Sequence, residues 1–439
     1  MNLGGKTVIA SWDPSSFDPQ KMEWVFQNKE SFLLRYSNRF AFVDGRRWGV
    51  SSAPLGQWWL THPDRRQFRG VTFMPGASKT VGECLNLWRG WGVDPVEGDW
   101  SLIREHIDDV IAGGDVEFAE YVMRWIAWAI QHPDRQAEVA LVLIGEKGTG
   151  KGTLVRALER LFGAHAFQVN SREAVIGQFN GHLQDCILFV ADEAYWGGDK
   201  RCVGRLQGMI TEPTLSIERK GIDLFTVRNL LHVVMLAEPG WVIPAGRYER
   251  RYAALAVSDT RRGDKPYFKA LYRQIDEGGV AAMFYDLQKM DLGDWHPRDI
   301  PDALLQNAAL QKQQRLTLPP LEQWYFGLLH NGMLPGIWIS YPSRAYTKDL
   351  LEDARTNYPR LKWDLSEVAL ANFLKDEVGC ELKRSGKCNG WSFPPLEEAR
   401  KAWVKRCGPT DWRCSVTEWG GKPKPKPEAA QVVPFVRRL

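Results

Sequence analysis

Four short apolar runs stand out against the mixed pattern of the middle of the chain: Val139-Ala-Leu-Val-Leu-Ile144, Cys186-Ile-Leu-Phe-Val-Ala191, Leu230-Leu-His-Val-Val-Met-Leu236 and Tyr252-Ala-Ala-Leu-Ala-Val257. Uninterrupted runs of this length fit parallel strands covered on both faces. Helical segments between them predict an α/β sheet. The first crossover helix is expected over residues 151–162, stopped by Gly163. Between the second and third runs the period shortens to two across residues 215–227. With Lys220-Gly221 at its centre, this stretch predicts a hairpin projecting from the sheet.

Outside this core the pattern changes. Residues 101–111 and 116–130 read as two helices, the second carrying Phe118, Tyr121, Val122, Trp125 and Trp128 near three- and four-residue spacing. His132-Pro133-Asp134 ends it. Phe32-Leu-Leu-Arg-Tyr36, then Phe40-Ala-Phe-Val43 and the turn signal Asp44-Gly45, predict a hairpin over 32–50. Residues 260–315 look helical and charged. Leu318-Pro-Pro-Leu321 opens a further segment with helices at 347–356 and 365–378 and a hairpin at 381–393, an order that suggests a winged helix. The resulting partition is a small irregular N-terminal domain (1–100), a helical collar (101–136), the α/β domain (137–259), a helical segment (260–315), a winged-helix-like domain (316–415) and a flexible tail (416–439). The tail contains Lys422-Pro-Lys-Pro-Lys-Pro427, an extended solvated stretch.

Composition adds few constraints. A net charge of +4 is too mild to establish a nucleic-acid partner, so any basic surface must be local. Seven cysteines, scattered and without a C-x-x-C pair, support neither a zinc site nor a disulfide framework and favour a reducing compartment. No signal-like core opens the chain and no apolar run approaches eighteen residues, so a cytoplasmic location without a membrane span is expected.

The chemistry lies at the ends of two of the predicted strands. Gly145-Glu-Lys-Gly-Thr-Gly150-Lys151-Gly152-Thr153 follows the first run. A glycine-rich loop between a buried strand and a helix leaves backbone N–H groups free to cradle phosphate, and its lysine reaches the outer phosphates. Gly145, Gly148, Thr149, Gly150, Lys151, Gly152 and Thr153 are therefore candidate ATP contacts. Gly152 stands where Ser or Thr usually follows the lysine, which leaves Thr153 to offer a hydroxyl to Mg2+. Asp192 and Glu193 end the second run, at the carboxyl edge where open α/β sheets place ligands. Asp192 is the candidate Mg2+ ligand and Glu193 the candidate base for the attacking water. Arg250 and Arg251 precede the fourth run. Either could serve a neighbouring subunit as an arginine finger, and a solvated basic pair beside Glu249 is an equal alternative. Arg219 and Lys220 at the hairpin tip, and Lys383, Arg384 and Lys387 in the later hairpin, are candidate contacts to a DNA backbone. For each of these two groups a solvated turn is the competing reading.

These segments in this order resemble the helicase domain of phage and mobile-element primase-helicases of the poxvirus type, within the superfamily 3 branch of the AAA+ ATPases. The resemblance rests on Gly148-Thr-Gly-Lys-Gly-Thr-Leu154, Gly177-Gln-Phe-Asn-Gly-His-Leu183, Ala191-Asp-Glu-Ala-Tyr-Trp-Gly-Gly-Asp-Lys200, Ile210-Thr-Glu-Pro-Thr-Leu-Ser-Ile-Glu-Arg-Lys-Gly221, Asn229 and Glu249-Arg-Arg-Tyr252. Phe73-Met-Pro75, Asn86-Leu-Trp88 and Phe393-Pro-Pro-Leu-Glu-Glu-Ala-Arg400 extend it in both directions. It implies a hexameric ring with ATP sites between subunits and central hairpins, each bearing Lys220, that move along single-stranded or forked DNA with replication partners. Two departures accompany it. Ala237-Glu238 occupies the end of the third strand, where the family usually has a γ-phosphate-sensing Asn. A carboxylate there implies slowed hydrolysis or an extra metal contact. Residues 1–100 also leave no room for a primase-polymerase domain, so DNA priming is not expected of this chain. Two non-helicase readings stay open: a nucleotide-gated switch or remodeller, and a DNA-binding scaffold that assembles on ATP.

Overall fold

The computed structural model describes residues 1–16, 21–45, 49–171, 177, 179–192, 200–240, 243, 245, 249–338, 341–358, 361, 365–385, 388–408, 410, 412 and 416–420. They form two compact units, residues 1–244 with 249–310, and residues 245–248 with 311–439.

The first unit is built on helix α1 (Val116–Gln131), strand β1 (Ala140–Ile144), helix α2 (Lys151–Phe162), β2 (Ala166–Val169), β3 (Leu188–Asp192), helix α3 (Lys200–Thr211), β4 (Thr214–Arg219), β5 (Ile222–Arg228), β6 (His232–Ala237), β7 (Tyr252–Ala256) and helix α4 (Lys265–Gln274). Five of these strands make one parallel sheet in the order β2-β3-β6-β1-β7. All five residues of β1 and all six of β6 are buried, as strands with both faces covered require. The four apolar runs became β1, β3, β6 and β7. The fifth strand, β2, carries Ala-Phe-Gln-Val with Phe167 and Gln168 exposed at the sheet's edge, so it offers no apolar run to read.

Strands β4 and β5 pair antiparallel around the Lys220-Gly221 turn, as the alternation predicts. Gly221 takes φ 76°, which a residue with a Cβ rarely adopts. Asparagines tie this hairpin down. Asn229 Nδ2 donates to the carbonyls of Met209 and Glu212, while its Oδ1 accepts from Leu231 N–H. Asn180 bridges Ser216 O and Glu218 N–H in the same way. Each amide hydrogen-bonds backbone groups of neighbouring elements.

The first hundred residues differ from the expected pattern. Residues 32–36 are not a strand: Lys29–Arg35 is a helix, capped by Asn28, whose side chain accepts from Ser31 N–H. The hairpin is instead Phe40–Gly45 with Gly49–Pro54. A further hairpin (Ile9–Pro14 with Met22–Gln27) and a three-stranded sheet complete the segment. It is latched to the α/β core. Trp88 stacks on the His165 ring at 4.6 Å, Arg89 N–H donates to His165 Nε2 at 2.9 Å, and the Arg89 guanidinium pairs with Asp185 at 3.0 Å. Burial pushes the His165 pKa down to about 4, so the ring is neutral and its Nδ1–H donates to Asp185 O.

The second unit carries a four-stranded antiparallel sheet, ordered Ile337–Trp338, Tyr341–Tyr346, Cys388–Ser392, Glu381–Ser385. Helices Pro320–Asn331, Thr347–Asn357, Glu367–Asn372 and Leu396–Cys407 pack around Trp324, Leu350, Leu374 and Leu396. Arg400, buried, donates to the carbonyls of Leu329 and Val416 and lies over the Trp412 ring. Among the described residues no helix is long and apolar enough to cross a membrane.

One backbone crossing sets a sharp test. Gly92 donates to Leu161 O at 2.8 Å, and a Cβ on Gly92 would stand 2.1 Å from Arg160 O. Gly92→Ala is expected to destabilise the first unit by about 2 kcal/mol or more, read as a lowered urea midpoint at unchanged m-value.

Candidate functional site

The glycine loop joins β1 to α2 where β1 ends in the middle of the sheet. Gly148 (φ 77°) and Gly150 (φ 103°) hold left-handed conformations that turn the backbone into a bend. Gly150 is also the N-cap of α2, so the loop's N–H groups and the helix's positive end face the same space. Both flanks are pinned: Gly145 N–H donates to Ala237 O at the end of β6, and Val257 N–H to Ile144 O. Thr149, buried, donates its hydroxyl to Glu146 O.

Lys151 Nζ donates to the carbonyls of Gly145 at 2.5 Å and Glu146 at 2.8 Å, which holds the ammonium inside the bend. Asp192 ends β3, and its Oδ2 accepts from Gln168 Nε2 of β2 at 2.9 Å. Strand β6 lies between β3 and β1, so the loop and Asp192 are two strand spacings apart, roughly 10 Å. They line one cavity of about 400 Å3, shared with Thr153, Glu238, Phe268 and Tyr272. Glu238, just past β6, stands between them and pairs with Lys147 of the loop at 3.1 Å. Its carboxylate is thereby balanced by the loop's own lysine. Glu193 lies outside the described residues.

Several residues of this site carry no signal of their own in the sequence. His106 begins a π-type turn, His106–Ile111, and its Nε2–H donates to Gly150 O at 3.0 Å. Its Nδ1 lies 3.0 Å from the Tyr267 hydroxyl, from which it accepts when the ring is neutral. Burial agrees, pushing the His106 pKa down to about 4. Helix α4 lays Tyr267, Phe268 and Tyr272 over the loop, and the Tyr272 hydroxyl meets Thr153 Oγ1 at 3.2 Å. Arg156 covers the Tyr272 ring at 5.1 Å and is held by Asp276. Glu159 of α2 is half-buried; burial, then the charge of Asp192, raises its pKa. Asp192 and Thr153 offer hard oxygen donors on one cavity, the type that Mg2+ takes together with phosphates and water. Among the described residues no three His, Cys, Asp or Glu side chains gather to hold a metal alone.

The other candidate residues sit elsewhere. Arg250 and Arg251 precede β7, next to the start of β1 rather than its end, since Ala140 N–H donates to Arg251 O. Five strand residues at about 3.3 Å each put them roughly 16 Å from their own loop. Arg251 is committed locally: Nε and Nη2 reach the two oxygens of buried Glu249 at 2.8 and 3.0 Å, which raises its pKa. Arg250 is exposed. Lys220 is exposed at the hairpin tip, whereas Arg219 turns back to donate to Gly181 O and lies over Phe26. In the second unit Lys383 pairs with Glu381 at 2.6 Å and Arg384 is exposed; Lys387 lies outside the described residues.

Comparison with known proteins locates this core. Residues 143–251 match the model of a family described as a family of unknown function, DUF5906. Over 156 residues the chain is 24% identical to the DNA primase-polymerase of Nitratiruptor phage NrS-1, a stretch that is 35% of this chain and 22% of that protein. Only that small part of the relative's length is matched. Solved structures of the NrS-1 C-terminal region share the fold. Two of them give TM-scores of 0.57 and 0.54 at 14% identity, covering 83% and 82% of this chain and 98% of each.

The neutral His106 ring makes the loop acid-sensitive. A folded pKa near 4, below the ordinary 6.5, means that its contribution is complete above pH 6.5 and drains away as pH falls toward 4. His106→Gln is expected to flatten that part of the stability–pH curve, measured as thermal midpoints between pH 4 and 7.

Proposed function

We propose that this chain is an ATP-driven translocase on single-stranded DNA in phage or mobile-element DNA replication, built on a AAA+ P-loop ATPase core and acting as a ring. The observation that carries this reading is the single cavity that Lys151 and Asp192 share at the carboxyl ends of β1 and β3. The partial similarity to a phage DNA primase-polymerase supports the replication context.

In this mechanism the loop N–H groups and the α2 N-terminus hold the triphosphate, and Lys151 leaves the Gly145 and Glu146 carbonyls for its outer oxygens. Bound Mg2+, held by Asp192 and Thr153, would supply charge neutralisation on the phosphates. Tyr272 would have to yield the Thr153 hydroxyl as the nucleotide enters. Glu193 takes a proton from the attacking water, the water oxygen bonds to the γ-phosphorus, and the bond to the ADP oxygen breaks. The arginines lie too far from their own loop to serve it, which favours a finger acting between subunits. Arg250 is the better candidate, because Arg251 already neutralises Glu249. Lys220 on each hairpin would hold the DNA backbone without reading bases. The winged-helix-like second unit, with Lys383, Arg384 and Lys387, would add a peripheral DNA contact.

A second reading, a nucleotide-gated switch with slow turnover, is favoured by the Lys147–Glu238 pair beside the phosphate site. Turnover indifferent to single-stranded DNA would select it.

Lys151→Ala is expected to abolish DNA-stimulated ATP hydrolysis and strand separation; a variant as active as the wild type would reject the assigned site. Arg250→Ala should lower turnover about a thousandfold while nucleotide still binds. Mixing it with Lys151→Ala subunits should restore part of the activity, because wild-type arginines and wild-type loops then meet across interfaces. Arg251→Ala should act instead on stability, by about 1–3 kcal/mol, through the stranded Glu249 carboxylate.

A further inference from the structure

The N-terminal segment carries an aromatic groove of about 310 Å3 that shares no residue with the phosphate site. One side is the strand Ile9–Pro14, with Trp12 and Asp13. The other is made by helices Lys29–Arg35 and Leu55–Thr61 and the tyrosine after the first, which bring Phe32, Tyr36, Leu55 and Trp59. The rings brace one another. Trp12 packs on Trp24 across the hairpin at 4.7 Å, and Phe32 on Tyr36 and Trp59 at 5.0 and 5.1 Å. Even so, Trp12 is 43% exposed, and Trp59 is half-buried.

Charge narrows what fits there. Asp13 stands directly opposite Glu23 in the hairpin register, an arrangement of like charges that is unfavourable without a cation. Among the described residues one cation pairs with these two carboxylates: Arg35, whose Nη2 donates to Asp13 Oδ1 at 2.9 Å. The acidic end of the groove is therefore one positive charge short. Arg35 and Arg39 lie over the Tyr36 ring, but the lining itself contains a carboxylate and no lysine or arginine. A nucleic-acid backbone would be repelled by that carboxylate. The indole N–H groups of Trp12 and Trp59 meet no acceptor among the described residues. The fitting ligand is thus rigid and apolar, rich in carbonyls, and carries a cation. A polyproline-type segment with lysines has each property: its backbone makes no internal hydrogen bonds, and proline brings no N–H in need of an acceptor.

We propose that this groove docks the Lys422-Pro-Lys-Pro-Lys-Pro427 segment of the chain's own C-terminal end, from the same copy or another. That segment lies outside the described residues and begins two residues beyond Gly420, which is fixed by hydrogen bonds with Gly332 and Leu334. Three residues make one turn of polyproline II, so positions three apart share a face. Lys422 then shares a face with Pro425, Pro423 with Lys426, and Lys424 with Pro427. Every face carries one proline and one lysine, roughly 9 Å apart at about 3.1 Å per residue. Whichever face turns inward, a proline ring meets the tryptophans and an ammonium group reaches the Asp13–Glu23 pair.

Hydroxyl-radical footprinting of the full chain, read by peptide-resolved mass spectrometry, tests this. Combined Pro423→Ala, Pro425→Ala and Pro427→Ala should speed the oxidation of Trp12 and Trp59. A synthetic peptide of residues 420–429, added to that variant, should slow it again. Glu23→Gln in the same background should raise the peptide concentration needed for half-protection, and Trp12→Ala should cancel the protection of Trp59. Should these last two variants misfold, the first two measurements still decide. Equal oxidation in the wild type and the proline variant, or oxidation that the peptide leaves unchanged, overturns the proposal. Protection by (dT)12 but not by the peptide would assign the groove to nucleic acid and overturn it as well. Neither ATP nor a DNA substrate for unwinding enters the measurement, so a chain without ATPase activity tests the groove equally.

Discussion

The hydrogen bond from His106 Nε2 to the Gly150 carbonyl is the contact around which the site is organised. A glycine loop is by itself the most pliable segment of such a sheet, since each glycine adds conformations that folding must remove. Here a buried ring from a distant turn fixes the last peptide before α2, and the room for that ring exists only because Gly150 lacks a Cβ. Added there, a Cβ would stand 2.5 Å from His106 Cε1. The ring is in turn oriented by Tyr267, which brings helix α4 and its aromatic face over the loop. Loop, helix cap and aromatic cover are therefore one interlocked assembly.

The same logic explains why certain polar residues recur at the joints of the fold. Asn86, Asn180 and Asn229 each bind backbone groups from segments distant in sequence. Arg400 does so in the second unit. All four belong to the segments that carry the family resemblance. Their role in the structure is to hydrogen-bond backbone groups of neighbouring segments. The glycine loop and Asp192 remain together at the carboxyl edge of one sheet.

How much of this was legible depended on whether the signal was local. Helix 151–162 could be read to the residue because Gly150 and Gly163, both left-handed, bracket it. Strands β1, β3, β6 and β7 announced themselves as apolar runs; β2 did not, because its two middle residues, Phe167 and Gln168, are exposed. Phe32-Leu-Leu-Arg-Tyr36 is too short for its period to separate helix from strand, and the Asn28 cap decided it. Lys151, Asp192 and Lys220 were visible from their positions relative to strands and turns. His106, Phe268 and Tyr272 were not, since they join the loop only through tertiary packing. The inward turn of Arg219 is likewise a product of packing, because neighbouring tip residues look equivalent in sequence.

The tip of the β4–β5 hairpin does not stand alone. Lys6 donates its ammonium to the Gly221 carbonyl, and Gly4 packs so closely on Ile222 and Asp223 that no side chain would fit there. The opening residues of the chain are thus mechanically yoked to the hairpin. A reporter group attached at Lys6 would sit against the Gly221 turn and sense the surroundings of the tip.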